Sequence, residues 1–405
     1  MFKFSANVQR IAPSATMAIS SRAKAMQAAG HDVIALAAGE PDFPTPPHIV
    51  EAAKAALDDG FTRYTPAAGV PALRAAWAEK IGSERGVTYA PEQLIVTAGG
   101  KQAVFNTVYA LAGAGDEVIL PAPYWVSYSE MIKAVGASPV ILETGAPEGF
   151  KLTAEALAAA ITPRTRLLIL CSPSNPTGSV YTGAELAALA EVLIAHRVPV
   201  LADEVYDALV YDQSFVSIVS VDPRMVELTI IAGAVSKAYA MTGWRVGFAA
   251  GPPDVIAACA RLQSHSTSGA NSIAQMAALA AITGDQSSVE VMRRAFDERR
   301  KYMYRRLNAM HGVTCFEPGG AFYTFPDVSA CFGRRYQGQA IDGSMDFCRL
   351  LLEHEQVALV PGSAFGSDRH VRLSYAAGMA QIQEALDRME RFVGHCQSPV
   401  EKTRG

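Results

Sequence analysis

Residues 228–250 read LTIIAGAVSKAYAMTGWRVGFAA, with a short apolar run at each end. The runs LTIIAG (228–233) and RVGFAA (245–250) have the length of buried strands. The segment between them is predicted to be mostly loop. Strands that are apolar along their whole length are typical of a parallel sheet covered by helices on both faces, so this stretch indicates an α/β protein.

Five similar apolar runs precede this stretch. They are LIVTA (94–98), EVIL (117–120), PVILE (139–143), RLLILC (166–171) and PVLA (199–202). Amphipathic helical patterns separate several of these runs, as in AELAALAEVLIAHR (184–197). The sequence therefore predicts an α/β fold with a mainly parallel, seven-stranded sheet flanked by helices.

The pattern changes after residue 250. Long helices are predicted at 253–263, 271–283 and 287–310. The segment CFEPGGAFYTFPDV (315–328) is punctuated by glycine and proline and is predicted to be rich in strands. A further strand, VRLSYA (371–376), is predicted between two helices. These elements indicate a second, smaller α/β unit.

The length of the chain, 405 residues, is enough for two domains. We expect a large domain over residues 49–300. Residues 301–405, together with an N-terminal arm and the rest of residues 1–48, are expected to form the smaller α/β domain.

Composition and charge argue against several classes of protein. The net charge of −4 does not build the basic field that a nucleic-acid-binding protein needs. The one dense basic run, residues 293–306, carries apolar residues at helical spacing, which is typical of a solvated helix face. The six cysteines form no CxxC pair, so we predict neither a metal site nor a disulfide framework. With no apolar leader or membrane-spanning run, we expect a cytoplasmic protein that binds no membrane.

Four polar segments lie where predicted strands end. They are AGGKQ (98–102), SPSNPTG (172–178), ADEVY (202–206) and AVSK (234–237). In open parallel sheets, ligands bind beyond the carboxyl ends of the strands. Each segment alone is a weak signal, but their convergence predicts a binding site at this edge of the sheet.

Three of these segments have ordinary structural explanations as well. The glycines of AGGKQ let backbone N–H groups approach an anion at a helix start, but they also suit a tight turn. Asp203 could cap a turn, and Asn175 is typical of a turn former. A functional Asp203 would need a cationic partner, such as a protonated ring nitrogen, and Tyr206 could share that pocket. The sequence has no GxGxxG or GxxxxGK[ST] motif, which argues against dinucleotide and P-loop sites.

Lys237 is predicted to lie in apolar surroundings. It follows an apolar strand and stands among Ala, Tyr, Met and Trp residues. Loss of hydration in such surroundings lowers the pKa of a lysine and makes its neutral amine a nucleophile toward carbonyls. Arg245, on the next predicted strand, can bind a phosphate with two N–H groups. An amine nucleophile, a phosphate-binding arginine and a carboxylate for a ring nitrogen together describe a site for pyridoxal 5′-phosphate.

Nine motifs spread over the chain carry a resemblance to a known family. They are PSATM (13–17), AAGEPDF (37–43), RYTPAAG (63–69), VTAGGKQ (96–102), PAPYWVSY (121–128), CSPSNPTG (171–178), DEVY (203–206), SKAYAMTGWRVG (236–247) and VRLSYA (371–376). In these motifs the chain resembles the class I pyridoxal-phosphate-dependent aminotransferases of fold type I, specifically the bacterial and plastid-type aspartate aminotransferases. Ala234 departs from the Gly or Ser of the family signature, at a position outside the expected contacts.

The resemblance implies five residues around the cofactor ring. Lys237 would bind the cofactor covalently as a Schiff base and move the proton between the substrate Cα and the cofactor. Asp203 would keep the ring nitrogen charged, and Tyr206 and Asn175 would hydrogen-bond the phenolic oxygen. Trp125 would stack on the ring face.

The resemblance also implies a phosphate site shared between two subunits. The backbone of Gly100 and Lys101, with Ser236 and Arg245, would bind the cofactor phosphate. Tyr64 would reach that phosphate from the neighbouring subunit, so the resemblance implies a homodimer.

Six residues are implied in substrate binding: Gly39, Trp125, Asn175, Arg372, Lys101 and Thr16. Arg372 would bind the α-carboxylate with two N–H groups, and Gly39 would close over it. Lys101 and Thr16 stand where this type of enzyme holds the distal carboxylate of a dicarboxylic substrate.

These residues make aspartate with 2-oxoglutarate the expected substrate pair, with prephenate as an additional amino acceptor. An aminotransferase for aromatic or other amino acids remains an alternative. A lyase or decarboxylase on the same fold would keep Lys237, Asp203 and Arg245, so the cofactor residues alone do not distinguish it. Lys101 and Thr16 favour a dicarboxylate substrate over that alternative. A degenerate regulatory domain or a binding module would not explain why all the cofactor residues are present.

Overall fold

A computed structural model describes residues 2–397 of the chain, and Met1 and residues 398–405 lie outside the described part. The described residues form thirteen α-helices: α1 (Ala6–Gln9), α2 (Ala15–Ala28), α3 (Pro47–Asp58), α4 (Pro71–Arg85), α5 (Gly100–Leu111), α6 (Ser127–Ala134), α7 (Ala154–Ala160), α8 (Gly183–His196), α9 (Pro253–Ser264), α10 (Ser272–Thr283), α11 (Ser287–Ala309), α12 (Ser344–Glu355) and α13 (Met379–Gly394).

The same residues form fourteen strands: β1 (Ile34–Ala35), β2 (Leu94–Thr97), β3 (Glu117–Ala122), β4 (Ser138–Glu143), β5 (Thr165–Cys171), β6 (Val200–Asp203), β7 (Thr229–Ala234), β8 (Gly247–Ala250), β9 (Tyr323–Thr324), β10 (Arg335–Tyr336), β11 (Gln339–Ala340), β12 (Val357–Ala358), β13 (Val360–Pro361) and β14 (Val371–Ser374).

The largest sheet has seven strands in the order β2-β8-β7-β6-β5-β3-β4. All neighbouring strands in it are parallel except β8, which is antiparallel to both β2 and β7. Each of the seven apolar runs of the sequence forms one of these strands, with bounds that agree to within two residues. The predicted fold class, a mainly parallel seven-stranded sheet flanked by helices, is therefore confirmed.

Alternate residues of the central strands face two different helix layers. In β5, Leu167 and Ile169 pack with residues of α5, α6 and α9. Leu168 and Leu170 face the opposite way and pack with α7 and α8. Because both faces of the strand are buried, the sequence has to be apolar at successive positions.

A second apolar cluster surrounds the three-stranded antiparallel sheet β13-β14-β9, with α11, α12 and α13 packed against it. Phe296, Phe347 and Phe392 contribute one large side chain from each of these helices. The helix α11 runs without a break through residue 300, where the sequence analysis divides the chain. The division into residues 49–300 and the remainder stays a prediction, and residues 398–405 of the expected small domain lie outside the described residues.

The segment 315–328 contains less strand than the sequence predicts. Within it, β9 is the one run of two or more strand residues, and isolated bridges occur at Gly320 and Asp327. The reason lies at Pro318, Gly319 and Gly320. The N–H groups of both glycines donate to the carbonyl of Gly178 at 2.9 Å, and proline has no N–H to give. The backbone N–H groups of both glycines are therefore bonded to residue 178 and not to a neighbouring strand of a sheet.

The sheet brings the ends of several strands to one edge. β5, β6 and β7 run parallel and end at Cys171, Asp203 and Ala234. The glycine turn after β2 leads directly into α5 at the same edge. None of the helices described in residues 2–397 is long and apolar enough to cross a membrane. The same residues contain no cluster of three or more side chains able to hold a metal ion.

Candidate active site

A cavity of about 240 Å³ lies at this edge of the sheet. Twelve of the thirteen site residues predicted from the sequence line it: Thr16, Gly39, Gly100, Lys101, Trp125, Asn175, Asp203, Tyr206, Ser236, Lys237, Arg245 and Arg372. These residues come from segments spread over more than 350 positions of the chain. The fold therefore assembles in one place what the sequence presents as separate motifs.

Lys237 lies in the loop after β7, with its side chain half-buried in the cavity. Its ammonium group donates a hydrogen bond to the carbonyl of Gly39. Burial, with a smaller contribution from the charge of Arg372, lowers the pKa of Lys237 to about 8. About a tenth of the amine is therefore neutral at pH 7, and the neutral amine is the form that attacks carbonyls.

Asp203 is the last residue of β6, and its carboxylate is buried. One carboxylate oxygen, Oδ2, accepts a hydrogen bond of 2.6 Å from the hydroxyl of Tyr128, and the other accepts one from the backbone N–H of Val205 at 3.2 Å. Burial raises the pKa of Asp203, whereas the hydrogen bonds and the charge of Lys237 lower it. Asp203 thus presents to the cavity a buried carboxylate that forms no ion pair with the other residues of the described range.

Arg372 lies on β14 and is buried, and its guanidinium group points into the cavity. Nη1 donates to the side-chain oxygen of Asn175 and Nη2 donates to the carbonyl of Ala37, each at 2.8 Å. Nε is buried and has no hydrogen-bond partner in the part of the chain that the structure describes. The rings of Tyr323 and Phe365 lie 4.4 and 5.0 Å from the guanidinium carbon. No carboxylate of the chain pairs with this cation within the described residues, so it is available to an anionic ligand.

The two other polar groups predicted near the ring also face this cavity. Asn175 is buried and bonded to Arg372, as described above. The hydroxyl of Tyr206 lies 2.8 Å from that of Tyr323. Tyr323 comes from β9, so this contact joins the small sheet to the segment after β6.

The start of α5 forms one end of the cavity. Gly99 has φ of 81°, a left-handed conformation that favours glycine, and a Cβ there would lie 2.5 Å from Nη2 of Arg245. The guanidinium group therefore packs against the bare backbone at the helix N-terminus, where the helix dipole adds to its positive potential. Ser236 and Gly100 line the same end. This combination suits a phosphate group.

Lys101 and Trp125 form one side of the cavity. The ammonium group of Lys101 donates to the hydroxyl of Ser127 at 3.2 Å and lies 4.7 Å from the centre of the Trp125 ring. Partial burial of the ammonium group, followed by the charge of Arg245, lowers the pKa of Lys101. Thr16, from α2, also lines the cavity.

A model of the family described as aminotransferase class I and II matches residues 31–389 of the chain. The chain belongs to this family. It is 47% identical over 395 residues to an aspartate aminotransferase of Geobacillus stearothermophilus, covering 96% of this chain and 99% of the relative. It is 48% identical over 386 residues to an aspartate/prephenate aminotransferase of Cereibacter sphaeroides, covering 95% and 96% of the two chains.

Solved structures agree with this membership. The aspartate aminotransferase of Thermus thermophilus with maleate superposes with a TM-score of 0.91 at 43% identity, covering 97% of this chain and all of the other. The resemblance to class I aminotransferases drawn from the sequence motifs is therefore confirmed, and this aminotransferase has the fold of its relatives. The roles of the individual site residues stay predictions.

Tyr64 is the one predicted site residue that this aminotransferase chain does not bring to the cavity. Its side chain is fully exposed. It lines a separate surface cleft with Arg63, Thr267 and Asn271. The position agrees with a role that needs a second subunit, and that role stays a prediction.

Sequence reasoning missed two tyrosines that the aminotransferase places beside the predicted residues. Tyr128 contacts Asp203, and Tyr323 contacts both Tyr206 and Arg372. Tyr128 follows Trp125 by three residues in the motif PAPYWVSY, and the rings of the two residues are in contact. Tyr323 had no signal in the sequence, because only the tertiary fold brings β9 to the cavity.

Proposed function

We propose that this aminotransferase binds pyridoxal 5′-phosphate through Lys237 and transfers the amino group of L-aspartate to 2-oxoglutarate. Prephenate, which carries two carboxylates and a bulky ring, is proposed as a further amino acceptor. The observation that carries the proposal is the placement of three groups in one cavity: the amine of Lys237, the carboxylate of Asp203 and the unpaired guanidinium group of Arg372.

The residues present fit this cofactor. The bare backbone at Gly99 with the adjacent guanidinium group of Arg245 suits the phosphate. The buried carboxylate of Asp203 accepts hydrogen bonds from Tyr128 and Val205 and lies near the amine of Lys237, so it can balance a protonated ring nitrogen. Trp125 offers an aromatic face, and Lys237 offers an amine with a lowered pKa. When bound, pyridoxal phosphate supplies the aldehyde that receives the amino group and a ring that accepts the electron pair left on the substrate Cα.

Lys237 performs the proton transfer in this proposal. With a pKa of about 8, roughly a tenth of its amine is neutral at pH 7, and the fraction rises with pH. The neutral amine takes the proton from the substrate Cα, and the resulting ammonium returns it to the acceptor carbon. The hydrogen bond to the Gly39 carbonyl positions the amine at this edge of the cavity.

Arg372 orients the substrate in this proposal. Its buried N–H groups bind the α-carboxylate, which places the Cα–H bond toward Lys237. Tyr323 and Phe365 limit the movement of the guanidinium plane and exclude water from it. The hydrogen bond that Arg372 already donates to Asn175 links the carboxylate site to the cofactor site.

Lys101 and Thr16 set the preference for dicarboxylates in this proposal. Lys101 adds positive charge to the cavity, where it would bind a distal carboxylate. The names of two relatives, an aspartate/prephenate aminotransferase and a Thermus enzyme with maleate, support an acidic substrate.

The proposed enzyme is a cytoplasmic homodimer. The fully exposed aromatic ring of Tyr64 supports a second subunit, whose cofactor phosphate its hydroxyl would reach. All six cysteines are free thiols, five of them buried, which agrees with a reducing compartment.

The proposal is tested with a panel of 2-oxo acids, prephenate included, assayed with aspartate and with glutamate as amino donors. The expected result is the highest kcat/KM for aspartate with 2-oxoglutarate, and measurable turnover of prephenate. Addition of aspartate alone should convert the bound cofactor stoichiometrically to its pyridoxamine form. Release of carbon dioxide or loss of the side chain without that conversion would identify a lyase instead.

Replacing Lys101 with alanine is expected to lower kcat/KM for aspartate by roughly 30-fold, about 2 kcal/mol, because a charge-assisted contact to the distal carboxylate is lost in a partly solvated site. Activity toward an uncharged amino acid should change little, and prephenate should fall with aspartate. Lys133→Ala is the matched control, since this nearby lysine pairs with Glu130 on the surface. An equal loss on charged and uncharged donors would assign Lys101 to the cofactor phosphate.

A further inference from the structure

Tyr128 is a fully buried tyrosine on α6 that the mechanism above does not use. Its hydroxyl donates to Oδ2 of Asp203 at 2.6 Å, a length typical of a hydrogen bond from a neutral hydroxyl to a carboxylate. Its ring meets the ring of Trp125 edge-on, with 5.2 Å between centroids and an angle of 85°. Tyr128 therefore contacts two residues of the proposed cofactor site. Asp203 is proposed to pair with the ring nitrogen of the cofactor, and Trp125 is proposed to stack on the cofactor ring.

We infer that Tyr128 is a positioning residue that keeps the Asp203 carboxylate ionised and aimed at the cofactor ring, and that it sets the lower pH limit at which the enzyme holds its cofactor. The inference rests on the proposed function, because it acts through the contact between Asp203 and a protonated ring nitrogen.

The other groups around Asp203 contribute little to keeping its carboxylate ionised. From β5, the thiol of Cys171 faces the carboxylate, and burial raises the pKa of that thiol to about 12, so it stays neutral. From β7, the residue beside Asp203 is Ala232, which carries no charge. From the loop after β7, the charge of Lys237 contributes only a small part of the effect on the pKa of Asp203. The second oxygen has only the N–H of Val205.

Tyr128 is suited to this task because it remains a donor at every pH of interest. Burial, with the adjacent charge of Asp203, raises its pKa well above the ordinary value for tyrosine. Burial also raises the pKa of Asp203, and the hydrogen bond from Tyr128 is the largest influence that opposes this rise. Without the hydroxyl, Asp203 would take up a proton at a higher pH and lose its attraction for the charged ring nitrogen.

The test uses Tyr128→Phe, which keeps the buried ring and removes only the hydroxyl. The acid limb of the pH profile of kcat/KM should move upward by roughly one to two pH units, since a hydrogen bond to a charged group has about that influence on a pKa. The affinity of the apoprotein for pyridoxal phosphate, measured by quenching of tryptophan fluorescence, should fall roughly tenfold or more at the acid end and little at alkaline pH.

Three further variants make the result specific. In the background of Asp203→Asn, Tyr128→Phe should cause no additional loss of cofactor affinity, because the two residues act as one unit. Tyr128→His retains an N–H donor and should have an acid limb between those of the wild type and Tyr128→Phe. Tyr336→Phe is the matched control, since Tyr336 also donates to a carboxylate, that of Glu355 at 2.8 Å, in another part of the chain. It should leave both the acid limb and the cofactor affinity unchanged.

An unmoved acid limb and unchanged cofactor affinity in Tyr128→Phe would overturn the inference, and so would an equal loss with and without the Asp203 carboxylate. If Tyr128→Phe does not fold, an acid limb of Tyr128→His that lies above that of the wild type supports the inference, and an acid limb identical to that of the wild type contradicts it. Failure of the wild-type apoprotein to bind pyridoxal phosphate would instead overturn the proposed function itself.

Discussion

Replacement of Asp203 by alanine is expected to lower kcat for transamination by three to four powers of ten, about 5 kcal/mol, while the protein still folds. The carboxylate is buried at the end of β6, and no other acidic side chain among residues 2–397 lines the cavity. Without it, nothing keeps a proton on the cofactor ring nitrogen, and the ring accepts the Cα electron pair poorly. Single-turnover absorbance measurements with saturating aspartate report this step directly.

The matched control for this variant is Glu204→Gln. Glu204 is the next residue and is equally buried, but it faces the other way, pairing with Arg85 at 2.7 Å and with Ser217. The control should lower the free energy of unfolding, because a buried ion pair is weakened, and leave kcat within a few-fold of the wild type. An Asp203→Ala variant within tenfold of the wild type would mean that Asp203 is only a strand-end cap.

Replacement of Arg372 by lysine is expected to lower kcat/KM for every amino donor by two to four powers of ten, about 3–5 kcal/mol. Lysine keeps the charge but loses the planar pair of N–H groups that binds an α-carboxylate. It also breaks the hydrogen bonds to Asn175 and to the Ala37 carbonyl. The loss should be the same for aspartate and for an apolar amino acid, in contrast to the selective effect of Lys101→Ala.

Arg300→Lys serves as the control for Arg372→Lys. Arg300 is also fully buried, but it lies on α11 and binds Asp212, Asp297 and the carbonyl of Pro318. This variant should lower the melting temperature and leave kcat/KM of the folded enzyme unchanged. A strong dependence of the Arg372→Lys effect on the donor side chain would contradict its assignment to the α-carboxylate.

The central sheet could be predicted from the sequence because its strands are buried on both faces. Runs such as RLLILC are then apolar at successive positions and stand out against the amphipathic helices around them. The segment 315–328 lacked such a constraint. Its backbone at Gly319 and Gly320 bonds to Gly178, a contact between residues far apart in sequence that local pattern cannot reveal.

The site residues that could be predicted from the sequence are those whose chemical role requires one particular residue type. Lys237, Asp203 and Arg245 were inferred from the reactions that amines, carboxylates and guanidinium groups perform. The resemblance to a family added residues such as Arg372 and Thr16, which no chemical pattern singled out. The supporting tyrosines were missed, because Tyr128 and Tyr323 act on other site residues and their importance follows from contacts across the fold.

The most direct test of the proposed cofactor site is to reduce the cofactor-loaded protein with borohydride and to map the modified peptide by mass spectrometry. A single pyridoxyl group on Lys237 is expected. Addition of aspartate before the reduction should prevent the labelling, because the amino group then resides on the cofactor and the lysine is released. A pyridoxyl group on Lys101, or on no lysine, would contradict the assignment of Lys237 as the residue that binds the cofactor and moves the proton.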